Sequence, residues 1–284
     1  MSHLYTKFIS ELSQIYDAKE AKNISNLAFE EIMGLSKIKP DKLPIEISTE
    51  NTNKLENILA ELLTHKPIQY VLGFAYFYGL KLMVNKNVLI PRQETEELVH
   101  QILNDYKTKK NHSLKILDIG TGSGCIALAL KANLSHAEIW ALDNSYEALE
   151  VAKQNSLINK LPINFINQDI LKGSHLKLGH EAFDIIVSNP PYILPSEAKE
   201  MKKNVLNFEP YEALFTPEND PLKFYKSIIN LSNSYLKKEG FLYFEINENK
   251  SNALLNTLKI SELNNFYLIK DLNERARIVK ATFS

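Results

Sequence analysis

The sequence predicts an α/β protein in which a mostly parallel, doubly wound sheet follows a small helical region. From about residue 114 onward, short apolar segments alternate with segments that repeat at the helical period, as in consecutive β-α units. The first third of the chain shows the helical period alone. With 284 residues, of which 44% are hydrophobic, the chain can form one large core or two smaller ones.

Three amphipathic stripes predict helices in the N-terminal third. Gly34 is the predicted stop of the second helix, and a polar connection with two prolines, residues 39–53, precedes the third. The stripes consist of Leu4, Phe8, Leu12 and Ile15, then Ile24, Leu27, Ala28 and Ile32, and finally Leu55, Ile58, Leu59, Leu62 and Leu63. Residues at this spacing share one helix face. We expect these faces to pack together in a helical domain of residues 1–66.

Residues 67–93 have a different pattern and are interpreted as a linker. Aromatic and apolar residues on both sides of Gly79, within residues 76–84, predict a β-hairpin that turns at this glycine. A helix is predicted to begin near Glu94, after the segment Ile90-Pro91-Arg92. The second domain then comprises residues 94–284.

Alternating strands and helices are predicted along this second domain. The apolar segments 115–119, 138–142, 163–166, 183–188 and 241–246 predict five strands, and residues 266–270 and 277–282 a terminal antiparallel pair. Helices are predicted at residues 125–133 and 221–236. Another helix is predicted to begin at Asn144, with Glu147 as its capping-box partner.

A glycine loop follows the first of these strands. It contains Asp118, Gly120, Thr121, Gly122, Ser123 and Gly124, and its glycines follow the pattern G-x-G-x-G. A dinucleotide fingerprint requires G-x-G-x-x-G, but Cys125 stands at the last position. This difference favours S-adenosylmethionine, which has no pyrophosphate, so that the loop needs only room for methionine and ribose. Asp118 is placed to meet the ammonium group of the methionine part.

Two carboxylates end the next two strands, at the edge where open α/β sheets bind ligands. Asp143 lies about twenty residues beyond the loop and can accept hydrogen bonds from both ribose hydroxyls. Asp169, followed by Ile170, is placed to accept from the adenine amino group. Taken singly, each aspartate could instead cap a helix or end a solvated loop. The glycine loop and both aspartates together predict a cofactor site.

A loop of sequence Asn189-Pro190-Pro191-Tyr192 follows the fourth strand directly. Its prolines fix two φ angles and remove two backbone donors, which leaves a stiff loop rich in acceptors. We expect the Asn189 side-chain oxygen and the Pro190 carbonyl to accept both hydrogens of a planar substrate nitrogen, and Tyr192 to stack on the substrate. Such positioning favours attack on a methyl sulfonium. Asn189, at the end of the strand, is also expected to contact the cofactor.

Together these motifs resemble those of the glutamine methyltransferases of peptide chain release factors, the HemK/PrmC family. The resemblance covers most of the chain and rests on residues 67–73, 88–96, 117–127, 189–193, 208–210 and 213–214. It implies a helical bundle, a β-hairpin linker and a seven-stranded, Rossmann-like class I methyltransferase domain. It also implies S-adenosylmethionine as the methyl donor and, as substrate, the glutamine of the Gly-Gly-Gln motif in class 1 release factors. The helical domain would help to hold this partner.

Three segments depart from the family pattern. Gln93 stands where a second proline is common, residues 245–250 lack a glycine and a closing glutamine, and residues 273–277 lack a glycine. We expect these positions to lie at loop ends, away from the cofactor and catalytic positions, and to affect loop shape and substrate fit more than the chemistry.

Several single side chains have ordinary interpretations. Cys125 is predicted to pack against the helix that it begins, and Trp140 to lie in the core. Arg275 and Arg277 are interpreted as solvated charges of the terminal hairpin, with a partner contact as the alternative. Arg92 either positions the linker or forms a plain surface salt bridge.

Composition excludes several classes of function. Lys+Arg 33 against Asp+Glu 34 gives no basic footprint for a nucleic-acid partner. The seven histidines have no metal-ligand spacing, and one cysteine cannot form an intramolecular disulfide. The N-terminal segment lacks the apolar core of a signal peptide, and no apolar run approaches a membrane span of about 20 residues. We therefore expect a cytoplasmic protein without a metal ion, with a monomer as the default.

Two other functions remain open at this stage. A nucleic-acid amino-methyltransferase could use the same loop on a flipped adenine or guanine. A binding protein could keep the cofactor fold without catalysis, although all four residues of the loop 189–192 are present. A nicotinamide oxidoreductase is disfavoured by the glycine spacing.

Overall fold

The computed structural model describes residues 3–38, 47–107, 113–173 and 182–284 of the chain. These residues divide into two compact units. The first consists of the residues up to Phe74 together with Lys202–Phe208, and the second of Ala75–Met201 and Glu209–Ser284.

The described residues contain eleven α-helices and nine strands. The helices are α1 (His3–Leu12), α2 (Ala18–Met33), α3 (Thr49–Leu63), α4 (Ile68–Leu72), α5 (Gln93–Asp105), α6 (Cys125–Asn133), α7 (Tyr146–Asn159), α8 (Lys203–Leu206), α9 (Tyr211–Leu214), α10 (Lys223–Tyr235) and α11 (Ser251–Lys259). The strands are β1 (Phe74–Phe77), β2 (Leu80–Met83), β3 (Lys115–Ile119), β4 (Glu138–Asp143), β5 (Asn164–Asn167), β6 (Phe183–Ser188), β7 (Leu236–Glu245), β8 (Asn265–Lys270) and β9 (Ala276–Thr282).

The helices of the first unit pack around an aromatic centre, as the stripes predict. Phe29 of α2 forms T-shaped contacts with Tyr5 and Phe8 of α1, at centroid distances of 5.2 and 5.3 Å. Asp17 caps α2 by accepting from two backbone amides, and Gly34 ends it at φ 66°, as predicted. α3 begins at Thr49, within the predicted polar connection, and residues 39–46 of that connection lie outside the described residues.

The second unit contains the predicted seven-stranded sheet, with the strand order β5-β4-β3-β6-β7-β9-β8. Strands β3 to β7 pair in parallel, and β9 and β8 continue the sheet as antiparallel strands. Because strand side chains alternate, the sheet carries two apolar cores. Leu117 and Phe244 point toward the core that includes α10 and α11, whereas Ile116 and Tyr243 point toward the core with α5 and α6. The fold is therefore a doubly wound α/β sheet.

The predicted hairpin is confirmed, and its turn explains the glycine. β1 and β2 form a two-stranded sheet, joined by Tyr78 at φ 47° and Gly79 at φ 80°. Two consecutive positive φ values are typical of the tight turn that matches the twist of a hairpin. Asn155 of α7 holds β2 by accepting from Met83 N at 2.6 Å and donating to Met83 O at 3.0 Å.

Some predicted element ends are wrong. The N-cap of α7 is Ser145, not Asn144, because β4 extends to Asp143 and the Ser145 Oγ accepts from Ala148 N at 3.1 Å. β7 begins at Leu236, before the predicted residue 241, since α10 passes directly into the strand. Lys237, at this early end of β7, forms an ion pair with Asp184 of β6.

Within the described parts of the chain, no helix is long and apolar enough to cross a membrane. The same residues contain no group of three or more His, Cys, Asp or Glu side chains that could hold a metal ion.

Candidate active site

A cavity of about 510 Å³ lies at the carboxyl edge of the parallel strands in the second unit. It is bordered by the loops that follow β3, β4, β5 and β6, and also by residues 87–89, 210–213 and 215–217. The predicted site residues that line it are Gly120, Gly122, Asp143, Asp169, Ile170, Asn189, Pro190 and Pro191. The cofactor motif and the Asn-Pro-Pro loop therefore share one cavity.

The other predicted residues lie beside this cavity without lining it. Asp118, Thr121, Ser123 and Gly124 are in or below the glycine loop, and Tyr192 follows the prolines. Thr121 and Ser123 are buried, and the Ser123 carbonyl accepts from Asn155 Nδ2 at 2.9 Å. These positions shape the loop from behind, and direct ligand contact by them stays a prediction.

The glycine loop is open toward the cavity. The backbone amides of Gly120 and Thr121 donate to Leu142 O at 2.8 and 3.0 Å, which fastens the loop to the end of β4. Gly120 and Gly122 have φ values of 73° and 53°, and a Cβ added to either would meet no heavy atom within 4 Å. This open space is room in which a ligand could approach the bare backbone.

Gly124 has a packing role instead. It is the N-cap of α6 at φ 81°, and an added Cβ would lie 3.2 Å from Ala152 Cβ and 3.3 Å from Leu128 Cδ1. The third glycine thus allows α6 and α7 to approach each other closely. Sequence spacing alone could not separate this role from ligand contact.

Asp118 supports the loop from inside the protein. Its fully buried Oδ2 accepts from Thr121 Oγ1 at 2.7 Å and from Ala127 N at 3.3 Å. Its Oδ1 is also buried and has no hydrogen-bond partner among the described residues. Burial raises the pKa of Asp118 to about 7, against the lowering effect of these hydrogen bonds.

Asp143 lines the cavity with a carboxylate that the backbone holds in place. Its Oδ2 accepts from Gly122 N at 2.9 Å and its Oδ1 from Ser145 N at 3.0 Å. Burial raises its pKa. Each oxygen retains capacity for another hydrogen bond, so the group can still accept from a diol.

Asp169 both caps a short helical turn and lines the cavity. Its Oδ1 accepts from Leu171 N at 2.9 Å and caps the short 3₁₀ turn Ile170–Lys172. The residue nevertheless lines the cavity beside Ile170. Capping fixes the orientation of the carboxylate without removing it from the cavity wall.

The Asn-Pro-Pro loop is fixed at both ends. Before it, Ser188 Oγ donates to Ile119 O at 2.7 Å and joins β6 to β3. After it, Ile193 N donates to Leu214 O at 3.1 Å, and Thr216 N donates to Ile193 O at 2.9 Å. Tyr192 packs against the core that includes α10, and burial raises its pKa. Stacking of Tyr192 on a substrate therefore remains a prediction.

The side-chain amide of Asn189 has partners that the sequence did not indicate. Its Nδ2 donates to Thr95 Oγ1 at 3.2 Å. Thr95 Oγ1 in turn donates to Glu245 Oε2 at 2.6 Å. Thr95 is in the first turn of α5 and Glu245 ends β7, and both are buried. Glu245 is also the first residue of the segment 245–250 that departs from the family pattern. The expectation that this segment lies away from the catalytic positions is therefore wrong at Glu245.

A second unpredicted partner is Glu209. Its Oε1 lies 2.6 Å from Arg92 Nη2, and its Oε2 accepts from Ile90 N at 3.1 Å. The Glu209 side chain is 1% exposed and that of Arg92 30% exposed. Arg92 therefore positions the linker, and the interpretation as a plain surface salt bridge is wrong.

The remaining single-residue predictions have mixed outcomes. Arg275 is exposed, as predicted, but Arg277 is not a solvated charge, because its Nε lies 3.2 Å from the buried carboxylate of Asp271. Burial raises the pKa of Cys125 to about 12, which fits a packing residue and not a nucleophile. Trp140 is half-buried against the core that includes α10.

Comparisons with known proteins agree with this geometry. The family described as "Methyltransferase small domain" matches residues 95–207. A release factor glutamine methyltransferase of Flavobacterium psychrophilum is 42% identical over 281 residues, which are 98% of this chain and 97% of the relative. Another, of Bacteroides thetaiotaomicron, is 37% identical over 287 residues, with 99% of each chain covered.

Solved structures resemble the fold at much lower identity. The hMettl16 catalytic domain, solved in complex with an RNA hairpin, has a TM-score of 0.58 at 16% identity and covers 98% of this chain and 91% of its own. A human methyltransferase 10 domain containing protein has a TM-score of 0.52 at 18% identity, with 73% and 91% covered. At these identities the likeness supports the methyltransferase fold alone.

Proposed function

Since the chain belongs to the family of release factor glutamine methyltransferases, we propose that it methylates the side-chain amide nitrogen of the glutamine in the Gly-Gly-Gln motif of class 1 release factors. The methyl donor is S-adenosylmethionine. The observation that carries this proposal is the shared cavity, in which Asn189 and Pro190 stand beside the cofactor motif.

The residues present fit this cofactor. The open face of the glycine loop leaves room at Gly120 and Gly122, where a Cβ would meet nothing within 4 Å. Asp143 would accept from the ribose hydroxyls, and Asp169 with Ile170 would hold the adenine. Asp118 would act on the methionine part through the loop that it supports. When bound, the cofactor supplies a methyl group on a sulfonium, which is a good leaving group.

The Asn-Pro-Pro loop would orient the substrate amide. A glutamine amide is a poor nucleophile because its nitrogen lone pair is delocalised into the carbonyl group. The Asn189 Oδ1 and the Pro190 carbonyl would accept the two N–H hydrogens, which aims the nitrogen at the methyl group and favours its rehybridisation. The nitrogen would then form the new N–C bond while the bond from the methyl carbon to the sulfonium sulfur breaks. The electron pair of that bond would go to the sulfur, which leaves as a neutral thioether, and the methylated amide would lose one proton to solvent.

The remaining parts of the chain complete the proposal. The helical domain, residues 1–66, would hold the release factor, and the hairpin linker, residues 67–93, would join it to the methyltransferase domain, residues 94–284. We propose a monomer that acts in the cytoplasm, where translation ends, and that needs no direct contact with nucleic acid. The near-balance of 33 basic and 34 acidic residues supports this last point.

Transfer of a labelled methyl group tests the function. The acceptors are a purified release factor, the same factor with alanine in place of the Gly-Gly-Gln glutamine, DNA and RNA. Label on the intact factor alone, mapped to that glutamine, is the expected result. Label on nucleic acid instead would assign the chain to the amino-methyltransferases of bases. Cofactor binding without transfer to any acceptor would indicate a binding protein.

A further inference from the structure

Glu245, Thr95 and Asn189 form one chain of hydrogen bonds that ends at the cavity. Thr95 Oγ1 donates to Glu245 Oε2 at 2.6 Å, and Asn189 Nδ2 donates to Thr95 Oγ1 at 3.2 Å. Glu245 is 1% exposed and Thr95 3% exposed, whereas Asn189 lines the cavity. The two buried residues therefore lie behind the residue that faces a ligand.

The direction of these bonds follows from the chemistry of the groups. An ionised carboxylate can only accept, so the hydroxyl hydrogen of Thr95 is used in the bond to Glu245. Thr95 Oγ1 can then only accept from Asn189, and the NH₂ half of the Asn189 amide must turn toward it. The Oδ1 of Asn189 is left as the free acceptor. Without this order, either half of the amide could face the cavity.

We propose that Thr95 and Glu245 are positioning residues, which set the side-chain amide of Asn189 so that its oxygen, and not its NH₂ group, meets the substrate nitrogen. The inference rests on the proposed function, because only an acceptor at this place can bind an N–H of the substrate glutamine. An Asn189 amide turned by 180° would place its NH₂ group, a donor, opposite the N–H donors of the substrate glutamine.

Protonation of Glu245 reverses which group donates and which accepts in these two hydrogen bonds. A protonated Glu245 can donate to Thr95 Oγ1, which frees the Thr95 hydroxyl to donate to Asn189 Oδ1. Burial raises the pKa of Glu245 to about 7, against the lowering effects of Thr95, Arg277 and Arg92. The correctly ordered form therefore predominates above about pH 7 and is lost below it.

The groups that act on Glu245 come from several elements around it. They are Arg92 of the linker, Glu94 and Thr95 of α5, Cys125 of α6, Tyr192 of the catalytic loop, Tyr225 of α10 and Arg277 of β9. Tyr225 also donates to the backbone carbonyl of Glu245 at 3.0 Å. Of these groups, burial raises the pKa of Cys125 to about 12 and also raises that of both tyrosines, so they stay protonated near pH 7.

A matched pair of variants at Thr95 tests the chain of hydrogen bonds from Glu245 through Thr95 to Asn189, which we call the relay. Thr95→Val keeps the shape and removes the hydroxyl, and Thr95→Ser keeps the hydroxyl. We expect Thr95→Val to lower kcat for the release factor about 10- to 100-fold, the range in which misorientation acts. Thr95→Ser should stay within about threefold of wild type, and both variants should bind S-adenosylmethionine with nearly wild-type affinity. Equal kcat for Thr95→Val and wild type would overturn the proposal.

The pH profile provides a readout that a merely structural role would not change. Wild-type kcat should rise through about pH 7, and Glu245→Gln should be slower and independent of pH across this range. The Asn189 side-chain amide signal, identified by its loss in Asn189→Ala, should move with the same midpoint in wild type and not in Glu245→Gln. This NMR titration requires no methyl acceptor and does not depend on how well Thr95→Val folds.

The two readouts separate the relay from the proposed function. If the release factor is not methylated by wild type but the Asn189 signal titrates near pH 7, the proposed function fails and the relay stands. If methylation occurs but neither kcat nor the Asn189 signal depends on Glu245, the relay is wrong and the function stands.

Discussion

The two sides of the cavity are held together by contacts of very different reach along the chain. The cofactor side consists of the loops after β3, β4 and β5. On this side, Asp118 and Asp143 accept hydrogen bonds from residues only 3, 9 and 21 positions away. The transfer side consists of the Asn189–Tyr192 loop, residues 87–92 and 209–217, and Thr95 and Glu245 behind the loop. Four of its side-chain hydrogen bonds span 94, 117, 119 and 150 positions. The cofactor side is thus a local motif, and the transfer side is assembled by the tertiary fold.

The two sides of the cavity also differ in the groups that fix their conformation. The cofactor side uses carboxylates to fix its own backbone and keeps spare acceptor capacity at Asp143. The transfer side uses a stiff loop whose one adjustable group, the Asn189 amide, is ordered by distant side chains. Substitutions on the first side should therefore change affinity for the cofactor, and those on the second should change kcat or stability.

The largest effect is expected at Asn189 itself. Asn189→Ala removes the proposed acceptor for the substrate nitrogen and should lower kcat about 100- to 1,000-fold, as loss of a preorganised polar contact does elsewhere. The affinity for S-adenosylmethionine, measured by calorimetry, should change far less than kcat does. Asn273→Ala, at an exposed turn, is the control. Near-normal kcat in Asn189→Ala would remove this residue from the catalytic assignment.

The next effect concerns the ion pair that joins the two walls of the transfer side. Arg92→Ala leaves the Glu209 carboxylate buried without its cation and should reduce the free energy of unfolding by about 3 kcal/mol. Arg275→Ala, at an exposed arginine, should change it by less than about 0.5 kcal/mol. Urea unfolding measures both. Equal stability of these two variants would mean that Arg92 behaves as a surface charge after all.

A smaller change is expected on the cofactor side. Asp143→Asn preserves the shape of the side chain but replaces one acceptor oxygen by an NH₂ group, which faces a backbone donor. The dissociation constant for S-adenosylmethionine should rise about 10- to 100-fold, equivalent to roughly 1.4 to 2.7 kcal/mol. The kcat at saturating cofactor should remain close to wild type, and Glu239→Gln, at an exposed site, is the control. A loss confined to kcat would contradict the division between the two sides.

The sequence predicts the cofactor side, whose contacts are local, better than the transfer side. Strands β3 and β6 and helix α6 have the predicted bounds, because each is a short periodic segment bordered by a glycine, a proline or a polar turn. The sequence predicts Asn144 as the cap of α7, whereas the structure has Ser145, because both residue types cap helices and only the end of β4 separates them. A one-residue difference of this kind is invisible to propensity.

The partners of Asn189 and Arg92 could not be predicted in the same way. Thr95 and Glu245 are 150 positions apart, and although Thr95 lies in the family segment 88–96 and Glu245 in the predicted strand 241–246, nothing in either pattern predicts that their side chains meet. Glu209 lies in a segment that the family resemblance marks, but nothing in its neighbours predicts burial beside Arg92. Such contacts depend on which strands become adjacent, and here β6, β7 and α5 bring them together.

The last expected effect is a pH dependence of stability that arises on both sides of the cavity. Burial raises the pKa of Asp118 and of Glu245 to about 7, above the ordinary values of these carboxyl groups near 4. Between about pH 4 and 7 the folded protein therefore holds protons that the unfolded chain releases. The free energy of unfolding should fall as the pH rises through this window. The stabilisation by these two groups is therefore fully present below about pH 4 and is lost as the pH rises through about 7.

Asp118→Asn separates the contribution of the cofactor side. The amide can still accept from Thr121 but cannot titrate, so the decrease in unfolding free energy between pH 4 and 7 should be smaller in this variant than in the wild type. Urea unfolding at several pH values measures the change, and Glu245→Gln gives the matching value for the transfer side. An unaltered slope in both variants would mean that neither carboxyl holds a proton near neutrality. The reversal of the Asn189 amide below pH 7 would then have no cause.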